Sequence, residues 1–246
     1  MEVFYEDHLA LIAEFMLDKY KVDYRYRGNL IYIDEKFEWH FSKNGAEADL
    51  NKIFQLYLKY YNMDEIDCSK KKLTSLPVLP KLKILNCDDN RLISLPDLSP
   101  GLQELYCSYN VLTSLPEVLS QRLRILECCG NQLKSLPELP PNLEHFSCKG
   151  NRIVYIFKLP PNLKTLYCQD NKLLSIAELP QSLKILHCNN NRLMFLPTLP
   201  VTLQTLDCGG NSFTSLPQLP SSVKNLYCDM KMLDMFSQSS STKFSL

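Results

Sequence analysis

The stretch LKTLYCQDNKLLSIAELPQS (163–182) runs directly into LKILHCNNNRLMFLPTLPVT (183–202), and the two repeat one frame, LxxLxCxxNxLxxLPxLPxx. Working outward from this pair, cysteines stand at 68, 87, 107, 128, 148, 168, 188, 208 and 228, with steps of 19, 20 and 21 residues and then 20 throughout. A fixed period of this size is the mark of a solenoid, in which one supersecondary unit is stacked many times. Within each unit the alternation seen at Leu105, Tyr106 and Cys107 reads as a short strand with Leu and Cys turned inward and Tyr outward. One unit alone buries nothing, whereas stacking equivalent strands in parallel closes the backbone ladder and lines the inward residues into rows. Nine strands at about 4.8 Å each give a body about 40 Å long.

The frame resembles the leucine-rich-repeat family, whose signature LxxLxLxxN/CxL appears here with cysteine in place of the third leucine. The resemblance spans residues 63–233. The 20-residue length and LPxLP tail look like the short subclass of secreted bacterial effectors, and similar repeats occur in large DNA viruses. It implies a leucine-rich-repeat solenoid of about nine repeats with short parallel strands; together with an extended convex side and a small α/β N-terminal cap, both read from the residues below, the expected class is α/β. It also implies a structural role for the asparagines Asn90, Asn110, Asn131, Asn151, Asn171, Asn191 and Asn211, whose side chains turn inward to satisfy loop backbone groups. Lys71 and Lys231 take that place in the first and last units and mark them as degenerate ends.

All 15 prolines lie in the solenoid, mostly in the LPxLP segment, where a fixed φ and a missing N–H favour an extended back over a helix. Two departures are expected to perturb that side: Val118 to Arg122 carries one extra residue, and Ile156, Phe157 and Lys158 replace the first LP.

Residues 1–62 lack the repeat. Leu9, Ile12, Phe15, Met16 and Tyr20 form one helical stripe, and Leu50, Ile53, Phe54, Tyr57, Leu58 and Tyr61 another. Between them, YRYRGNLIYIDEKFEWHF, broken at Gly28-Asn29 and Asp34-Glu35, predicts two or three antiparallel strands. This α-β-β-α unit is read as a cap over the first repeat or as a recognition module. The tail, residues 234–246, is expected to be disordered.

Lys plus Arg total 27 against 27 for Asp plus Glu, so no net field gathers nucleic acid or an anionic membrane. Residues 1–62 carry 8 basic and 11 acidic side chains and the remainder 19 and 16, so neither part is a charged arm. The acidic start MEVFYEDHLALIAEF suits neither a signal peptide nor a membrane span, and no membrane insertion is expected.

The cysteine row, including Cys107, Cys148, Cys168, Cys188 and Cys208, is read as packing: buried thiols act as small hydrophobes, and repetition at one frame position is what a structural role produces. Zinc needs converging ligands, and parallel side chains diverge, so no metal and no cofactor is expected. Free thiols in this number point to a reducing cytoplasm, of the protein's own cell or of a host cell. Cys129, one residue past an inward cysteine, faces outward, and His145 in the next repeat offers a Cys–His pair, but no oxyanion hole or third residue accompanies it. No enzymatic activity is expected. Some effectors of this subclass are ubiquitin ligases through a further domain after the repeats, for which the 13 residues beyond Leu233 leave no room.

The outward central row reads Asp67, Asn86, Tyr106, Glu127, Ser147, Tyr167, His187, Asp207 and Tyr227, and varies where the inward rows do not. Three tyrosines in nine positions suit a protein-binding face, because tyrosine is a favoured interface anchor. Two patches are expected: Tyr167, His187, Asp207 and Tyr227 on adjacent strands, and an acidic stretch of Glu65, Asp67, Asp88, Asp89, Glu104 and Glu127 suited to a basic partner. The reading is a protein-protein interaction module. Its alternatives are an architectural or self-assembling solenoid without a specific ligand, and a substrate adaptor that recruits an enzyme through residues 1–62.

Overall fold

The computed structural model describes residues 24–27, 30–33, 38–40, 64–76 and 81–230. The segment with the alternating pattern forms three strands, β1 (Tyr24–Arg27), β2 (Leu30–Ile33) and β3 (Glu38–His40), in the order β1-β2-β3. Both pairs are antiparallel, with Arg27 opposite Leu30 and Leu30 opposite His40. The two helical stripes, the expected solenoid ends at 63 and 233, and the tail 234–246 lie outside the described residues. All fourteen regular elements within them are strands, so the helical part of the α/β expectation is not carried by them.

One strand per repeat builds a second, nine-stranded sheet. Its members are β4 (Glu65–Asp67), β5 (Ile84–Asn86), β6 (Glu104–Tyr106), β7 (Ile125–Glu127), β8 (His145–Ser147), β10 (Thr165–Tyr167), β12 (Ile185–His187), β13 (Thr205–Asp207) and β14 (Asn225–Tyr227). Each pairs in parallel with the strand of the next coil, in register, so Tyr106, Glu127, Ser147 and Tyr167 stand side by side. The ladder continues past the strands through inward cysteine N–H groups, as in Cys107 N–H to Glu127 O at 2.8 Å and Cys168 N–H to His187 O at 2.8 Å. Inside, Leu105, Leu126, Phe146, Leu166, Leu186 and Leu206 form one fully buried row and the cysteines the next. At about 25 cal/mol per Å² of apolar area removed from water, these rows supply the main stabilising term.

The turn after each strand depends on a residue that the repeat frame leaves unspecified. Asp89, Tyr109, Gly130, Gly150, Asp170, Asn190 and Gly210, each just before a ladder asparagine, all have φ between 54° and 67°. Gly, Asn and Asp tolerate this left-handed conformation, and only Tyr109 among the seven is bulky.

A third, two-stranded sheet lies on the opposite flank, where β9 (Tyr155–Ile156) pairs in parallel with β11 (Ser175–Ile176). Its cause is local. At the frame position held by proline in other repeats these two coils carry Phe157 and Ala177, and the Ala177 N–H donates to Ile156 O at 2.8 Å. Proline has no such donor, so the pairing is confined to the pair of coils that lack it.

Candidate protein-binding face

The ladder asparagines tie each turn to the preceding coil. Asn131 Nδ2 donates to Cys107 O (3.0 Å), Cys128 O (3.2 Å) and Cys129 O (3.1 Å), while its Oδ1 accepts from Leu112 N–H (3.0 Å). The same set recurs at Asn110, Asn151, Asn171, Asn191 and Asn211. Asn90 extends it, accepting from both Lys71 N–H and Leu73 N–H. Stranding those buried groups costs about 1–3 kcal/mol each, which makes the turn, and hence the strand's placement, rigid.

The inward thiols are held in a similar way. Cys87, Cys107, Cys128 and Cys168 each donate Sγ–H to the last strand carbonyl of the following coil, at 3.3–3.4 Å. Burial pushes the thiols up, Cys68 to about 12, and Cys107, Cys148, Cys188 and Cys208 well above the ordinary range. None of the ten cysteines is in a disulfide. Among the described residues no group of three or more His, Cys, Asp or Glu side chains is arranged to hold a metal ion, and no helix there is long and apolar enough to cross a membrane.

On this frame the outward side chains sit half-buried, because neighbours on adjacent strands shade one another. Register places Tyr167, His187, Asp207 and Tyr227 in one line across β10, β12, β13 and β14. The Tyr167 and His187 rings meet edge to face at 4.9 Å between centroids, and His187 Nδ1 lies 3.9 Å from Asp207 Oδ2. Burial raises the Asp207 carboxyl, with His187 pulling the other way. Tyr227, on the last strand of the sheet, is 58% exposed.

This line continues where the sequence reading stopped. His145 Nε2 reaches Glu127 Oε1 at 3.3 Å and its ring meets Tyr167 at 5.6 Å, so an acid–His–Tyr–His–acid series crosses five strands. The Cys–His pair is not formed: Cys129 Sγ instead lies 2.8 Å from Ser147 Oγ, because the register makes residue 147 its diagonal neighbour and sets residue 145 two places further away. The signal for the series was present, since Glu127 and His145 are diagonal neighbours in any in-register parallel pairing. Beside it, Gln169 Oε1 and Asn189 Oδ1 are buried yet accept no hydrogen bond among the described residues.

Toward the other end, Glu104 accepts the Tyr106 hydroxyl at 2.9 Å, and burial together with that carboxylate pushes the Tyr106 phenol up to about 12. Asp88 accepts Ser108 N–H, but burial first, then the nearby Glu127, Asp89 and Asp67, hold its carboxyl at about 6. Lys83, Arg124, Lys149, Lys158 and Lys164 direct their ion pairs to Asp64, Glu144, Asp170 and Glu138, away from this stretch. Tyr109, 59% exposed on its positive-φ turn, lies over Gly130, where a Cβ would meet its ring at 2.7 Å. A strained backbone that presents an exposed aromatic at the rim of this face is the kind of outlier found at binding sites.

Among solved structures, the chain is similar to YopM, a leucine-rich effector protein from Yersinia pestis, at 28% identity and a TM-score of 0.54, over 74% of this chain and 65% of that one. It is similar to a Shigella effector leucine-rich-repeat domain at 25% identity and a TM-score of 0.51, over 82% and 87%. A leucine-rich-repeat protein of Leptospira interrogans gives 26% identity and a TM-score of 0.52, over 72% and 62%. The chain thus spans less than two thirds of the Yersinia pestis and Leptospira proteins. No protein-family model matches it, and no curated protein matches it in sequence.

Proposed function

We propose that this leucine-rich-repeat solenoid, which resembles bacterial effector proteins, acts by holding a partner protein on the outward face of its nine-stranded sheet. The observation that carries the reading is the line Glu127, His145, Tyr167, His187 and Asp207, aromatic and charged groups held in contact on a ladder that leaves them little freedom. Side chains already ordered lose less entropy on binding. The acidic stretch from Glu65 to Glu127 adds a second contact for a basic segment. Similarity to effectors from Yersinia and Shigella supports a host-directed role, and ten free cysteines support a reducing cytoplasm as the place of work. Nothing in this role calls for catalysis, a cofactor, nucleic acid or a membrane.

The test is affinity capture from cell lysate with the unaltered chain and with a variant carrying Tyr106→Ala, Tyr167→Ala and Tyr227→Ala, both shown to be folded by circular dichroism. A protein retained by the first and lost by the second is the expected result. Equal retention by both moves the contact to residues 1–62, the adaptor reading. Retention by neither leaves the architectural reading.

A further inference from the structure

The flank that follows the asparagine turn carries two rows that coincide on the same three coils. The first is basic. Arg152, Lys172 and Arg192 occupy equivalent positions, set by their own backbone ladder: Arg152 N–H to Leu133 O (2.9 Å), Lys172 N–H to Ile153 O (3.0 Å) and Arg192 N–H to Leu173 O (2.9 Å). All three are exposed, and none has an ion-pair partner among the described residues. The nearest acidic neighbour in sequence, Asp170, accepts from Asn190 Nδ2 at 2.9 Å and lies 3.9 Å from Lys149. Lys72 and Arg91 stand at this position in the first two coils, but Val111, Gln132 and Ser212 hold it in others, so an unbroken run of three cations is not a demand of the frame.

The second row is apolar. Two residues further along, on the same side of the extended chain, stand Val154, Leu174 and Met194, with Tyr155, Phe157 and Phe195 beside them. Phe157 is 85% exposed, Phe195 58%, Met194 48% and Leu174 45%, and the Tyr155 and Phe157 rings stack at 5.4 Å. Elsewhere the frame has Ser where Tyr155 and Phe195 stand, and Pro, or Ala at 177, where Phe157 stands. Scattered exposed apolar side chains need no explanation, but a contiguous set beside stacked like charges does. The cations repel one another across adjacent coils and are relieved by carboxylates brought from outside.

From this coincidence we infer a second docking surface, distinct from the sheet face, whose occupant is an acidic amphipathic helix of a partner protein lying along the solenoid axis. The spacing selects a helix. Coils repeat at about 4.8 Å, and an extended strand laid along the axis returns a side chain to the same face only every ~6.8 Å. A helix returns one every turn, about 5.4 Å, and drifts by only about 1 Å over three coils. Acidic residues three or four apart then meet the basic row while the adjoining apolar stripe covers Leu174, Met194 and Phe195.

The probe is a fluorescein-labelled synthetic helix with glutamates along one stripe and leucines along the next, titrated against the full chain by fluorescence anisotropy. The charge variant is Arg152→Gln, Lys172→Gln and Arg192→Ser, and the apolar variant is Tyr155→Ser, Leu174→Thr, Met194→Thr and Phe195→Ser. Every introduced residue already stands at that position in another coil of this chain, so both are expected to melt as the unaltered protein does. Saturable binding, weakened roughly tenfold or more in each variant and reduced by salt, is expected. A peptide with glutamine for glutamate repeats the charge test without altering the protein, and must lose the same affinity. Absence of binding, or equal affinity for both peptides, overturns the inference. So does preferential binding of polyuridine or of phosphatidylserine vesicles over the glutamate helix, which would assign the rows to a polyanion or a membrane.

Discussion

The nine-stranded and the two-stranded parallel sheets of this solenoid are made of the same coils, yet one runs through every repeat and the other through only two. On the first side each coil offers N–H groups at regular intervals, and nothing in the frame removes them. On the second, proline withdraws a donor from coil after coil, and pairing appears where Ala177 restores it. A solenoid can therefore be rigid on one side and only loosely tied on the other through a single residue type.

The comparison breaks most visibly if proline is moved across it. Thr205→Pro in β13 removes the N–H that donates to Lys184 O at 3.0 Å in an interior strand. It should cost about 2 kcal/mol or more by removing a ladder bond from an interior strand and bending that strand. Ala177→Pro deletes the 2.8 Å bond to Ile156 O. Because it returns the coil to the common frame and restricts the unfolded chain, its net effect should stay within about 1 kcal/mol. Urea unfolding of both variants decides; equal losses would remove the distinction between the two sides.

A smaller effect follows from the closeness that the continuous ladder enforces on outward rows. Asp88, held at about 6 by burial and by neighbouring carboxylates, keeps its proton in the folded chain at pH values where the unfolded chain has released it. Its raised pKa stabilises the fold at pH below the unfolded value, and that contribution is lost as pH rises through about 6. Asp88→Asn, which keeps the acceptor for Ser108 N–H, should melt higher than the unaltered chain near about pH 7 and equally near about pH 3. An unchanged difference between the two would show that crowding at Asp88 is fully screened.

The finest distinction is between buried and half-buried thiols and leaves stability untouched. Under native conditions a thiol-specific disulfide reagent should label the half-buried Cys129 and Cys228 ahead of the eight buried cysteines, whose thiolates burial disfavours. Rapid labelling of Cys107 or Cys148 would mean that the coils open locally far more often than their ladders imply.

Much of this was legible in the residues. The frame predicts that Leu105 and Cys107 turn inward and Tyr106 outward, and Leu105 and Cys107 are fully buried while Tyr106 is half-exposed. The alternation in YRYRGNLIYIDEKFEWHF predicts two or three antiparallel strands, and β1, β2 and β3 pair antiparallel. Other features were written there but passed over. The residue before each ladder asparagine is Gly, Asn or Asp in six of seven coils, a backbone signal that a hydrophobic pattern does not contain. On the sheet face the row from Tyr167 to Tyr227 is legible as one frame position, whereas Glu127 and His145 join it only as diagonal neighbours, which no single row contains.

What the sequence by itself determined is the coil: its length, its inward rows, its asparagine turns and its proline back, since each follows from local chemistry repeated at a fixed period. What only the tertiary structure decided is which outward groups meet. The pairing of Cys129 with Ser147, the contact of His145 with Glu127 and Tyr167, and the bond from Ala177 to Ile156 all join residues about one repeat or more apart. Their separation of a few ångströms comes from stacking, which sets neighbouring coils about 4.8 Å apart and leaves register and side-chain direction to choose the partners.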